Sequence, residues 1–161
     1  MRNRWTRIGV VVVALVLVNI AARVVIRIAS GASEGVQFGT ALASLLGMGV
    51  VLAVTGFLTA RRYLPARTAG DLFFVIVISA LIVTLLGPFV SGGSPFGAGA
   101  YPWIMQLLVC LGTLVIGAVI GVWLAIAFGL DPKSRAWGAY AASVKLSAKT
   151  KPKAKKTPAR R

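Results

Sequence analysis

The sequence predicts an all-α, polytopic membrane protein: a four-transmembrane-helix bundle followed by a disordered basic C-terminal tail. Three observations carry that expectation. Four apolar segments, 8–29, 38–60, 72–90 and 103–130, fill most of a 161-residue chain. About 20 apolar residues cross about 30 Å of hydrocarbon, and each segment is about that long. Apolar residues make up 58% of the chain and mean hydropathy is +0.87, as expected of a protein whose solvent is lipid. The cations, finally, avoid the apolar segments. Sixteen of eighteen Lys and Arg lie outside them, and Glu34, Asp71 and Asp131 are the only carboxylates. Residues 1–131 read as one membrane domain, 132–146 as an interfacial amphipathic helix, and 147–161 as the disordered Lys-rich tail.

The first span opens after Arg2, Arg4 and Arg7, with Trp5 at the depth an indole prefers. Its Val and Ile crowding is tolerated because unmet backbone groups enforce helix in lipid. The same arginines, the apolar run from Ile8 to Ala22 and the small residues near Ala29–Ala32 also resemble a cleavable signal peptide. Cleavage would leave three spans in the same orientation.

The second span ends at Arg61, Arg62 and Tyr63, with Pro65 marking the turn. Thr68-Ala-Gly-Asp71 reads as a capping box opening the third span. Pro88 and the stretch from Ser91 to Gly99 read as the end of that span and a flexible loop. Gly97-Ala98-Gly99 is no phosphate loop, since no strand precedes it and no Lys follows. Tyr101, Pro102 and Trp103 open the fourth span, where Pro suits the first turn and the aromatics an interface. Asp131 and Pro132 then start a new helix as N-cap and N1. Trp137, Tyr140, Ala141 and Val144 recur at helical spacing beside Lys133, Arg135 and Lys145, the pattern of a helix lying on a membrane surface.

Arg2, Arg4 and Arg7, then Arg61, Arg62 and Arg67, then the ten cations from Lys133 to Arg161 fall on one face if all four spans are real. The segments on the other face, 31–37 and 91–102, carry no Lys or Arg. The positive-inside rule places both termini in the cytoplasm. Usage rich in Ala, Val, Gly and Arg suits a bacterium with a GC-rich genome, and the expected location is its inner (plasma) membrane.

Two small-residue ridges at four-residue spacing suggest close helix packing. In the fourth span the ridge is Thr113, Gly117, Gly121, Ala125 and Gly129; in the second it is Gly39, Ala43 and Gly47, continuing to Thr55 and Thr59. The two helices are expected to touch. The ridges serve packing inside one bundle or, alternatively, a homo-oligomer or a membrane-protein partner.

Asn19, Arg23 and Arg27 form a polar stripe on one face of the first span. An arginine in hydrocarbon costs a few kcal/mol on insertion scales. Arg27 lies near the helix end, where it snorkels or pairs with Glu34. Arg23 lies deeper. One reading sends both arginines to lipid phosphates. The other makes them, with Asn19, a cationic pocket for an anion, a lipid headgroup or a carboxylate on another subunit.

The chain has no histidine, and its carboxylates sit at segment ends, so no acid–base pair and no mid-membrane proton carrier is expected. Cys110 is the only cysteine and reads as a packing residue. No enzyme activity, metal or other cofactor is expected. The expected partners are the bilayer, with anionic lipids at the cytoplasmic face. Nucleic acid is not expected, because the basic tail lacks aromatics for base stacking. The function expected is that of a non-catalytic accessory, scaffold or assembly subunit. The alternative is a small permease or channel component that binds an anion through the stripe.

Overall fold

A computed structural model describes residues 2–28, 34–90, 92–97 and 99–150. All its elements are α-helices: α1 Arg2–Ile28, α2 Glu34–Ala60, α3 Pro65–Val90, α4 Ala100–Ala127 and α5 Pro132–Thr150. Four of them contain stretches long and apolar enough to cross a membrane. The chain is thus built as a small multi-pass membrane protein.

The helix ends follow from local chemistry. Pro65, not Thr68, opens α3. A proline at the first helical position surrenders an N–H that has no helical partner anyway. The Leu64 carbonyl accepts from the Arg67 and Thr68 amides, both at 3.0 Å. The expected capping box is therefore not formed: Thr68 lies inside the helix with its Oγ buried and unpartnered. Pro88 lies inside α3, which ends at Val90, the expected end of the third span, and closes on glycine. The Gly93 amide bonds the Pro88 carbonyl and the Gly92 amide bonds that of Phe89, with Gly92 at φ +85°. That pattern is a Schellman closure, which needs a left-handed residue just past the cap.

α4 closes the same way. Leu130 N–H reaches Ala125 O, Gly129 N–H reaches Ile126 O, and Gly129 sits at φ +64°. Gly129 is thus a terminator rather than part of the packing ridge. The Asp131 carboxylate then accepts from the Ser134 amide at 3.2 Å and caps α5. α5 continues to Thr150, so helix covers residues 147–150, which composition alone assigns to the tail. The remainder of that tail, 151–161, lies outside the described residues.

The four long helices are arranged in the order α1, α2, α4, α3 around the bundle, with α2 and α3 also touching across it. α1 and α3 run parallel, since Arg4 meets Asp71 near one end and Arg27 donates to the Val90 carbonyl near the other. α2 and α4 are parallel too: Gly49 faces Thr113 and Gly117, and Ala53 faces Gly121. One end of the bundle collects the Arg4–Asp71 ion pair, the Arg7–Tyr63 hydrogen bond, and the stacking of Arg7 and Arg67 on the Tyr63 ring at 4.9 and 4.8 Å. Asp131 and Lys133 border a groove with Tyr63 and Pro65, so the start of α5 belongs to this basic end. The other end carries the Phe96–Trp103 contact at 5.3 Å.

Leu15, Met48, Leu52 and Leu114 form the centre of the core, each at most 1% exposed. Large apolar side chains such as Leu17, Val50, Phe73 and Ile116 are each about 60% exposed on the outside, on all four helices. A soluble protein does not present so continuous an apolar girdle, whereas hydrocarbon solvates it. Three threonines deep within the spans bond their own helix. Thr55, Thr84 and Thr113 each donate to the carbonyl four residues back, at 2.7–2.9 Å.

Candidate functional site: a polar cleft around Arg23

α1 packs against both α2 and α3, and this packing positions the polar stripe. Asn19 faces inward and is 8% exposed. Arg23, one turn on, is half-buried and donates from Nε to Asn19 Oδ1 at 3.0 Å. The guanidinium packs against Gly87 of α3, where a Cβ would stand 2.5 Å from Cζ. Arg27 takes a different course. It is exposed and donates to the Val90 carbonyl at 3.3 Å. The stripe is therefore divided: Asn19 and Arg23 enter the bundle, and Arg27 ties α1 to the end of α3. The Glu34 side chain, the expected partner of Arg27, lies outside the described side chains.

Asn19 and Arg23 line a cleft of about 510 Å³. Ser44 of α2 and Gln106 and Cys110 of α4 complete its polar and sulfur-bearing wall, and Met48, Val83 and Met105 supply apolar surface. Ser44 is 8% exposed, and its Oγ has no hydrogen-bond partner. It departs from the behaviour of Thr55, Thr84 and Thr113, which bond their own helix. Cys110 is 2% exposed. None of the described lining residues is acidic. Below the cleft, toward the basic end, Leu15, Leu52 and Leu114 are fully buried.

The small-residue positions divide by helix. On α4, Gly117 and Gly121 lie in the seam against α2: a Cβ on Gly117 would overlap the Gly49 carbonyl, and one on Gly121 the Ala53 carbonyl. Thr113 meets Gly49, and Ala125 is fully buried. On α2 the seam is Gly49, Ala53 and Gly56, not the expected row. A Cβ on Gly56 would stand 2.9 Å from the Ala118 carbonyl. Gly47 instead faces Val18 of α1, Gly39 has nothing within 4 Å, and Ala43 is exposed. Two rows of small residues exist on α2, and hydropathy does not say which row turns to which neighbour.

Sequence reasoning missed Ser44, Gln106 and Gly87. Their only signal is a polar or side-chain-free position within an apolar span, and nothing in one chain links three separate helices. Among the described residues, no three of His, Cys, Asp and Glu come together as metal ligands would. No protein-family model matches the chain, and neither a curated protein nor a solved structure does.

Proposed function

We propose that the protein is a non-catalytic accessory or scaffold subunit of a bacterial inner membrane, with both termini in the cytoplasm. The observation that carries this reading is the closed core layer under the cleft. Leu15, Met48, Leu52 and Leu114 are at most 1% exposed, so a solute reaching Arg23 meets packed hydrocarbon. A site that admits a group but offers no way through suits holding or sensing better than transport. The orientation follows from collecting the basic residues at one end, which the positive-inside rule assigns to the cytoplasm. α5 then lies at the inner surface. Its Trp137 and Tyr140, 72% and 64% exposed, suit interfacial depth, and its Lys and Arg suit anionic lipid.

Recovery of partners after mild detergent extraction tests the role. A membrane-protein complex that co-purifies at fixed stoichiometry supports it, and purification as a solitary chain at native expression opposes it. The second reading is a permease or channel component, and the cationic residue in the cleft favours it. Because one copy is closed, it requires an oligomer, with flux in liposomes that Arg23→Gln abolishes.

A further inference from the structure

We propose that the cleft is a binding site for a membrane amphiphile with a phosphate-bearing head group. The head group sits against Arg23, Asn19 and Ser44, and the apolar body lies along Met105 and Val109. This deepens the accessory reading and rests on it, since it takes the cleft as a terminus for a ligand rather than a passage.

The polar groups of the cleft offer donors. Arg23 contributes a guanidinium fork, whose pairing with phosphate is geometrically favoured. Asn19 Oδ1 accepts from Arg23 Nε, and the same amide carries a nitrogen that can donate to a ligand. Ser44 supplies a second, independent indication. Its hydroxyl lines the cleft, is more than nine-tenths buried, and has no hydrogen-bond partner among the described residues. A buried hydroxyl left unsatisfied costs about 1–3 kcal/mol, and a bound oxygen would recover it. With no carboxylate among the described lining residues, the cleft suits an anion.

Size and depth point to an amphiphile rather than a bare ion. A volume of about 510 Å³ lies within the range of small-molecule sites and far exceeds what phosphate alone requires. Arg23 stands five residues before the end of α1 at Ile28, or roughly 7–8 Å along the helix. That is the depth of a head group drawn slightly inward. The rim is open: Ala41 on α2 and Met105, Gln106 and Val109 on α4 are all exposed. Met105 and Val109 lie one turn apart on the apolar girdle, so a chain attached to the head group continues into the surrounding lipid without leaving hydrocarbon.

The experiment uses the full-length protein in a neutral detergent and three probes. These are a short-chain phosphatidylglycerol, the phosphatidylcholine with the same chains, and inorganic phosphate. Binding is read by native mass spectrometry and by the shift in melting temperature. The proposal expects phosphatidylglycerol to bind tightest and inorganic phosphate to bind weakly. Losing the guanidinium's charge and hydrogen bonds in Arg23→Gln should weaken the lipid roughly ten- to a hundredfold, and losing the single hydroxyl bond in Ser44→Ala about three- to tenfold. Arg27→Gln, which alters charge near the same end without touching the cleft, should change it less than twofold. Ser44→Ala keeps the test decisive if Arg23→Gln does not fold. Equal binding by Ser44→Ala and the parent protein, or equal affinity for inorganic phosphate and the lipid, overturns the proposal. Partner recovery is a separate measurement, so loss of lipid binding with an intact complex removes this inference and leaves the accessory role standing.

Discussion

The guanidinium of Arg23 occupies the space that a side chain at residue 87 would need, with Cζ 2.5 Å from where a Cβ on Gly87 would stand. α3 thus accommodates the α1 cation by omission. The obstructing atoms belong to a flexible side chain rather than to backbone, so the conflict is resolved by moving the arginine. Gly87→Ala is expected to fold, with a loss of about 1 kcal/mol from repacking. It should also displace Arg23 and weaken phosphatidylglycerol binding much as Arg23→Gln does. Melting in detergent and lipid titration together check this: a variant that melts like the parent and binds lipid equally well contradicts the placement of Arg23.

The seam between α2 and α4 behaves differently, because there the obstruction is main chain. A Cβ on Gly121 would run into the Ala53 carbonyl and stand 2.8 Å from the Ala53 Cα. Neither group can rotate away. Gly121→Ala should therefore separate the helices and cost about 3 kcal/mol or more. Gly112 on the same helix has nothing within 4 Å. Gly112→Ala should stay within about 1 kcal/mol of the parent. Equilibrium unfolding of the two variants in mixed micelles reads the contrast directly.

Arg4 and Asp71 join the start of α1 to the start of α3 at 2.6 Å, with side chains 39% and 16% exposed. Such a pair is partly screened, so Asp71→Asn should cost about 1 kcal/mol or less. The double exchange Arg4→Asp with Asp71→Arg should recover part of that loss, and a double-mutant cycle measures the coupling. Additive losses with no recovery would mean the contact contributes nothing.

α1 is also built into the core through Ile8, Val12 and Leu15, all buried. Removal of this segment as a signal peptide would strip one wall from the bundle. The purified protein is expected to retain it, and intact mass spectrometry decides: a mature chain beginning near residue 30 contradicts the four-helix assembly.

Asp131→Ala removes the carboxylate that caps α5 through Ser134. Loss of an N-cap typically costs about 1 kcal/mol of helix stability. Circular dichroism should show reduced helicity with the bundle intact, since α5 stands apart from the core.

What the sequence disclosed follows from which forces are periodic. Length and hydropathy disclose that four helices are long and apolar enough to cross a membrane, because desolvated backbone leaves no alternative to helix. The Asp131-Pro132 start of α5 is legible because capping is local. The boundary of α3 is not, since two local signals compete there: the Thr68–Asp71 box loses to Pro65, and Asp71 is drawn to Arg4. Gly117 and Gly121 were recognisable as close-packing positions. Their counterparts Gly49, Ala53 and Gly56 were hidden by a second small-residue row containing Gly39, Ala43 and Gly47. The Asn19–Arg23 half of the site stands out as a polar interruption, whereas Ser44, Gln106 and Gly87 acquire meaning only once three helices surround them.

The central claim is a chain crossing the membrane four times with its cations gathered on one side. Single-cysteine labelling in intact cells tests it most directly, in a Cys110→Ser background with reporters at Gly93, Arg62 and Lys145. An impermeant maleimide should modify residue 93 at once, and residues 62 and 145 only after permeabilisation. Labelling of residue 145 in sealed cells, or protection of residue 93, would contradict it.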